Sequence, residues 1–236
     1  MIVVISQSMY FPWAGLLEQA RLADIFVHYD DVQYAKGFLN RVQIKTSEGI
    51  QWMTVPLAGL KRRQLISEVQ VQDNCDWRQR HRNMLLHAYA KTQHGKEMLE
   101  VFDRAISMPG KTLADVSRNS LTALARHPAF GATCRFVDSR ILNVPGSGSR
   151  RILETVKTLG GTTYITGQGG RNYLDHQAFA NAGISVRYMK YDVGPYPQRF
   201  GEFTPYVSAL DLLANCGKEA SLHLHSRTID WKEAIA

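Results

Sequence analysis

The sequence predicts an α/β fold on a mainly parallel, Rossmann-like sheet, with an inserted β-hairpin and helical segment. Three observations predict it. Short apolar runs alternate with helical patterns at the start of the chain and again after residue 133. Two glycine-rich loops lead from strand patterns into helical ones. Between the alternating regions, residues 40–126 carry a hairpin pattern followed by three helical patterns. The expected organisation is one α/β domain over 1–217, interrupted by an insertion at about 40–126, with a weakly patterned C-terminal tail over 218–236.

"IVVIS" (2–6) is short, β-branched and apolar, as buried parallel strands are. "WAGLLEQARLA" (13–23) follows as a helix with Pro12 near its first turn, and "DIFVHY" (24–29) as a second strand. "RVQIKT" and "QWMTVPL" alternate across "SEGI", where Gly49 can take a positive φ. "LISEVQVQ" (65–72) is a candidate third strand of this part. Asp76 is placed to cap "WRQRHRNMLLHAYAKT"; "KEMLEVFDRAI" and "TLADVSRNSLTALARH" are two further helices, split by "SMPGK". "TCRFVDSRIL", "TTYITG" and "ISVRYMKY" then read as strands. They alternate with the helices "SRRILETVKTLG", "NYLDHQAFANAG" and "VSALDLLANCG".

Composition narrows the partners. The net charge of +7 favours anionic ones. The charges are scattered, and the densest cluster, Arg78, Arg80 and Arg82 around His81, reads as a solvated helix face rather than a nucleic-acid stripe. Cys75, Cys134 and Cys216 are far apart with no C-x-x-C, which argues against a disulfide framework or zinc site and fits a reducing compartment. The N-terminus lacks the basic region of a signal peptide, and no segment approaches the ~18 apolar residues of a membrane span. The expectation is a cytoplasmic protein, without a membrane span or a nucleic-acid partner. Its partner would be a nucleotide sugar or another phosphorylated small molecule, and homo-oligomerisation is compatible with the sequence. No cofactor is assigned. No metal ligand is assigned either; His223-x-His225 is too little to define a site.

Four loops should meet at the edge of a parallel sheet, where open α/β folds bind ligands. The first, "QSMYFP", brings Gln7 and Tyr10, with Trp13 just after it. The second, "YDDVQY", brings Asp30, Asp31 and Gln33, with Asn40, Arg41 and Lys45 close behind. Adjacent strand residues point to opposite faces, so one of the two acids is expected to enter a site. The third, "NVPGSGSRR", runs into a helix with Arg150 and Arg151 in its first turn. The fourth, "TGQGGRNYLD", brings Gly167, Gly169, Arg171 and Tyr173. Both glycine loops depart from G-x-G-x-x-G at the last position, Arg151 in one and Asn172 in the other, and neither is a P-loop. They serve as phosphate cradles or as plain connections. A carboxylate among them could hold a sugar hydroxyl, bind a metal or take a proton; alternatively both acids cap a turn. No G-x-S-x-G elbow is present, and Cys134 and Cys216 sit in apolar contexts that suit the core.

"ISQSMYFPWAGLLEQARLADIFVHYDDVQYAKGFLNRVQIKT", "WMTVPL", "YITGQGGRNYLD" and "YPQRFGEFTPYVSALDLLANCG" together resemble the WbqC-like proteins, in order and over about residues 3–217. One departure is that Gln7 is followed by Ser8, where the family usually has proline. The resemblance implies a bacterial protein of surface-polysaccharide (O-antigen) or modified-sugar metabolism. It also implies a transferase of glycine or another acyl group to an amino sugar, with no catalytic residue carried over. On that reading Asp30 or Asp31 orients the sugar or acts as a base, and Arg41, Lys45 and Arg150 or Arg171 neutralise phosphate. Tyr10 and Trp13 form an apolar wall, and Tyr196 and Gln198 close the pocket. The alternatives are an ATP-dependent nucleotidyltransferase or carboxylate-activating enzyme, which lacks His-x-Gly-His here, and a non-catalytic sugar-nucleotide-binding protein.

Overall fold

The computed structural model describes residues 1–192 and 194–235. The chain forms β1 (Ile2–Ser6), α1 (Ala14–Leu22) and β2 (Ile25–His28). The segment before the next sheet strand carries β3 (Arg41–Thr46), β4 (Gly49–Thr54), β5 (Leu57–Ala58) and β6 (Gln70–Val71). Three helices follow, α2 (Trp77–Tyr89), α3 (Gly95–Ser107) and α4 (Leu113–Ala125). Alternation then resumes with β7 (Arg135–Asp138), α5 (Gly148–Thr158), β8 (Thr163–Thr166), α6 (His176–Asn181) and β9 (Ser185–Asp192). The chain ends in α7 (Ala209–Cys216), β10 (His225–Asp230) and α8 (Trp231–Ile235).

A six-stranded sheet runs β10-β9-β8-β1-β2-β7, parallel throughout except for β10 on β9. Strand alternation sorts its side chains onto two faces. Val4, Phe26 and Ile165 join one apolar cluster with Leu17 of α1, Leu121 of α4 and Leu213 of α7. Val3, Ile5, Val27 and Tyr164 join another with Ile152 and Val156 of α5 and Phe179 of α6. Burial on both faces explains why β1 and β2 read as continuous apolar runs.

The chain builds outward from β1 through β2 to β7, then crosses back to place β8, β9 and β10 on the other side of β1. The strand order therefore reverses between β1 and β8. Such a reversal leaves a crevice beyond the strands' carboxyl ends, because the two connections leave in opposite directions.

Several boundaries differ from the sequence reading for local reasons. β7 ends at Asp138, whose side chain accepts from the Arg140 N–H at 3.0 Å and starts a 3-10 turn over Ser139–Leu142. Residues 65–72 do not form one strand: Glu68 accepts from the Leu65 N–H at 3.1 Å, closing a turn, Leu65 makes a single bridge to Gln33, and Gln70–Val71 pair antiparallel with β5. "GQGGRN" winds into a short 3-10 helix, and α6 starts only at His176, capped by Asp175 accepting from the Ala178 N–H at 3.0 Å. β10 lies in the weakly patterned segment; it is a polar edge strand. No helix among the described residues is long and apolar enough to cross a membrane.

Candidate functional site

The crevice at the strand reversal is a cleft of about 770 Å³, within the size range of small-molecule sites. β1 delivers Ser6 and Gln7 to it, and β8 delivers Thr166 and Gly167. Both glycine loops reach its wall, Gly146–Gly148 from one side and Gly167–Gly170 from the other. Gly146 and Gly148 have φ of +94° and +58°, a region that side chains with a Cβ disfavour. Gly170 answers a different need: an added Cβ would come within 3.0 Å of Leu174 and Thr166. Ser147, the N-cap of α5, makes no capping hydrogen bond. The first-turn amides of α5 thus remain open to an outside acceptor.

The two acids after β2 part company. Asp31 lines the cleft, and Arg151 of α5 donates to its Oδ2 while Ser139 donates to its Oδ1 at 2.6 Å. Burial opposes the charge of Arg151, but its bond to Asp31 and the neighbouring Tyr29 outweigh that and raise its pKa. The guanidinium sits over the Tyr29 ring, 5.0 Å from the centroid. Burial also raises the pKa of Tyr29 and Tyr173, so both phenols on the cleft wall are neutral donors.

Asp30 is fully buried behind this wall. It accepts from the Ser8 N–H and hydroxyl, each at 2.8 Å, and from Arg118 Nε at 2.6 Å. Arg118 also binds Asp138, which Arg140 grips from the other side. Burial pushes the Asp138 carboxyl up, but the hydrogen bonds from Arg140 and Arg118 outweigh this and hold it well below the usual carboxylate range. The Ser8 hydroxyl lies 2.8 Å from His28 Nδ1, and burial drives the His28 pKa down to about 4. Serine after Gln7 thus serves two partners at once, and its N–H is a donor that proline lacks.

The remaining candidates fall into five places. Gln7, Gln33, Gly167, Gly169 and Tyr173 line the cleft with Asp31. Tyr10, Trp13 and Arg41 line a second pocket of about 260 Å³ that shares Met9 with the cleft. Lys45 and Gln198 are joined at 3.1 Å, and Tyr196 and Gln198 bind the buried Asp211 at 2.8 and 3.0 Å. This network, with Lys45 also bonded to the Gly201 and Glu202 carbonyls, ties residues 196–204 to β3 and α7. Burial raises the pKa of Asp211 against the pull of its hydrogen bonds. Asn40 is buried and donates to the Val55 carbonyl at 3.0 Å, while Arg150 and Arg171 are exposed and off the cleft wall.

The residues that the sequence reading did not single out are Tyr29, Arg118, Ser139 and, as the cleft cation, Arg151. The signal for Arg151 over Arg150 was present: α5 buries Arg151, Ile152, Thr155 and Val156, one face at helical spacing. Among the described residues, no three His, Cys, Asp or Glu side chains converge as a metal-ligand set.

The model of the WbqC-like protein family matches residues 7–223. A protein of Mycobacterium tuberculosis described as uncharacterized is 33% identical over 226 residues, covering 94% of this chain and 96% of its own. No solved structure matches. With both glycine loops, the 196–211 network and all of the cleft wall but Ile5 and Ser6 inside the matched span, the chain belongs to the WbqC-like protein family.

Proposed function

We propose that the protein is a transferase of bacterial surface-polysaccharide or modified-sugar metabolism that forms an amide on a nucleotide-linked amino sugar. The observation that carries this reading is Asp31: a half-buried carboxylate on the wall of the switch-point cleft, flanked by two glycine-led helix starts. In this reading the amides of the two loops hold the diphosphate, and Gln7 and Tyr173 hold sugar hydroxyls. Asp31 orients the amino group. As the amine attacks the acyl carbonyl, the new C–N bond forms, the bond to the donor's leaving group breaks, and the amine proton must be taken up. Asp31 is the carboxylate placed to receive or relay it. Arg151 donates to Asp31 Oδ2 and offsets its negative charge before substrate arrives.

The test is amide formation with UDP- and dTDP-linked amino sugars and activated acyl donors, followed by mass spectrometry. Wild-type protein should give an acylated amino sugar, and Asp31→Asn should lower its rate by about a hundredfold or more. Equal rates for the two proteins would remove Asp31 from the chemistry. Binding of a sugar nucleotide with no product from any donor would favour a non-catalytic binding protein.

A further inference from the structure

We infer that the second pocket is a stacking site for a heteroaromatic ring with carbonyl oxygens on its edge, the base of the nucleotide whose phosphates occupy the cleft. This rests on the proposed function and extends it.

The pocket's wall is largely aromatic. Trp52 and Phe38 lie 6.0 Å apart between ring centroids, as do Trp13 and Tyr206. Trp52, Phe38 and Tyr206 are 38%, 64% and 64% exposed, so three large aromatic side chains leave surface uncovered at one place. Arg41 sits over Trp52 with its guanidinium carbon 4.4 Å from the ring centroid. Its Nε donates to the Gly37 carbonyl at 3.1 Å. Among the described residues, its terminal nitrogens and the Gln43 side chain have no hydrogen-bond partner.

This composition selects among occupants. A sugar ring carries several hydroxyls, and beside Arg41 and Gln43 the wall offers them only the Tyr206 phenol and the Trp13 and Trp52 indole N–H groups, too few to satisfy them once water is displaced. An acyl chain has no use for a donor fork. A base offers two flat faces to aromatic side chains and a few polar edge atoms, and carbonyl oxygens there suit the donor-only guanidinium of Arg41.

The pocket adjoins the cleft. Met9 lines both, and residues 7–13 run from Gln7 on the cleft wall to Trp13 on the pocket wall. That stretch is held in a strained form. Phe11 has φ of +38°, rare for a bulky side chain, with its N–H donating to Ser120 Oγ at 2.9 Å and its carbonyl accepting from Ser208 Oγ at 2.8 Å. A fixed ridge between a phosphate cleft and an aromatic pocket suits one ligand that spans both.

The test is calorimetric titration of UDP, dTDP, uridine and inorganic pyrophosphate into wild type, Trp52→Leu and Arg41→Leu. Both substitutions fall at exposed positions of the hairpin, and circular dichroism checks that the fold is kept. Wild type should bind UDP or dTDP at least tenfold more tightly than pyrophosphate. Both variants should lose most of that margin and keep their pyrophosphate affinity. UDP affinity unchanged in both variants would overturn the base site and leave the cleft reading standing. Uridine binding that both variants weaken, with no pyrophosphate binding, would support the base site and count against the phosphate cleft. No binding of any of the four probes would overturn both.

Discussion

Asp31 and Arg151 stand 120 positions apart in the chain and meet on the wall of one cleft, where Arg151 Nη2 donates to Asp31 Oδ2. Only the crossover from β7 back past β1 brings them together, since it places the start of α5 beside the end of β2. Their side chains are 15% and 10% exposed, so each charge depends on the other. Asp31→Asn should therefore cost about 1–3 kcal/mol in urea unfolding, through the buried Arg151 left short of a charged partner. A double variant, Asp31→Asn with Arg151→Met, should recover part of that stability without recovering turnover. Full additivity of the two losses would show that the pair does not interact.

Asp30 should respond the other way. It is fully buried, accepts three hydrogen bonds and lies off the cleft. Asp30→Ala should destabilise the protein by about 3 kcal/mol, since Arg118 and the Ser8 N–H lose a buried acceptor. Protein that stays folded should retain ligand affinity in the cleft to within severalfold, as titration would show. A normal unfolding midpoint with lost binding would mean that Asp30, not Asp31, faces the ligand.

How much of this is legible in the sequence depends on which interactions are local. The parallel sheet is legible because β1 and β2 are buried on both faces and so must be apolar throughout. One glycine loop is legible because positive φ at Gly146 and Gly148 leaves a composition signature, and the other because Gly170 has no room for a Cβ beside Leu174 and Thr166. The division between Asp30 and Asp31 is not legible, because it is decided by Arg118 and Arg151, 88 and 120 positions away. Nor is β10, an edge strand whose polar side chains carry no alternation and whose place is set by pairing His225–Asp230 with Arg187–Asp192. The Tyr196–Gln198 motif stands out in the sequence, but only the fold shows that Asp211 and Lys45 are its partners.

Acid should unfold the protein partly through His81. Burial drives its pKa down to about 4, and the Tyr10 hydroxyl lies 2.9 Å from its Nδ1. Because the folded value is below the unfolded value of about 6.5, the unfolded chain binds the proton first as pH falls. This contribution to stability is full above pH 6.5 and is lost progressively down to about pH 4. Wild type should lose about 2–3 kcal/mol more than His81→Gln between pH 7 and 4.5. Urea unfolding of the two proteins at both pH values measures the difference. Parallel curves would mean that folding leaves the His81 pKa unshifted.

The thiols should react unequally. Cys134 and Cys216 are buried, and burial raises each pKa to about 11, while Cys75 is partly exposed. Titration with a chromogenic disulfide at pH 8 should release one equivalent from native protein and three in guanidinium. Rapid release of two or more from native protein would place a second thiol at the surface.

The central claim is that the crevice between β1 and β8 takes the sugar nucleotide, and amide hydrogen exchange tests it most directly. With UDP- or dTDP-linked amino sugar at saturation, exchange should slow in peptides covering residues 146–152 and 167–173, the two glycine loops with the start of α5. Unchanged exchange in both loops, with protection elsewhere or nowhere, would contradict it.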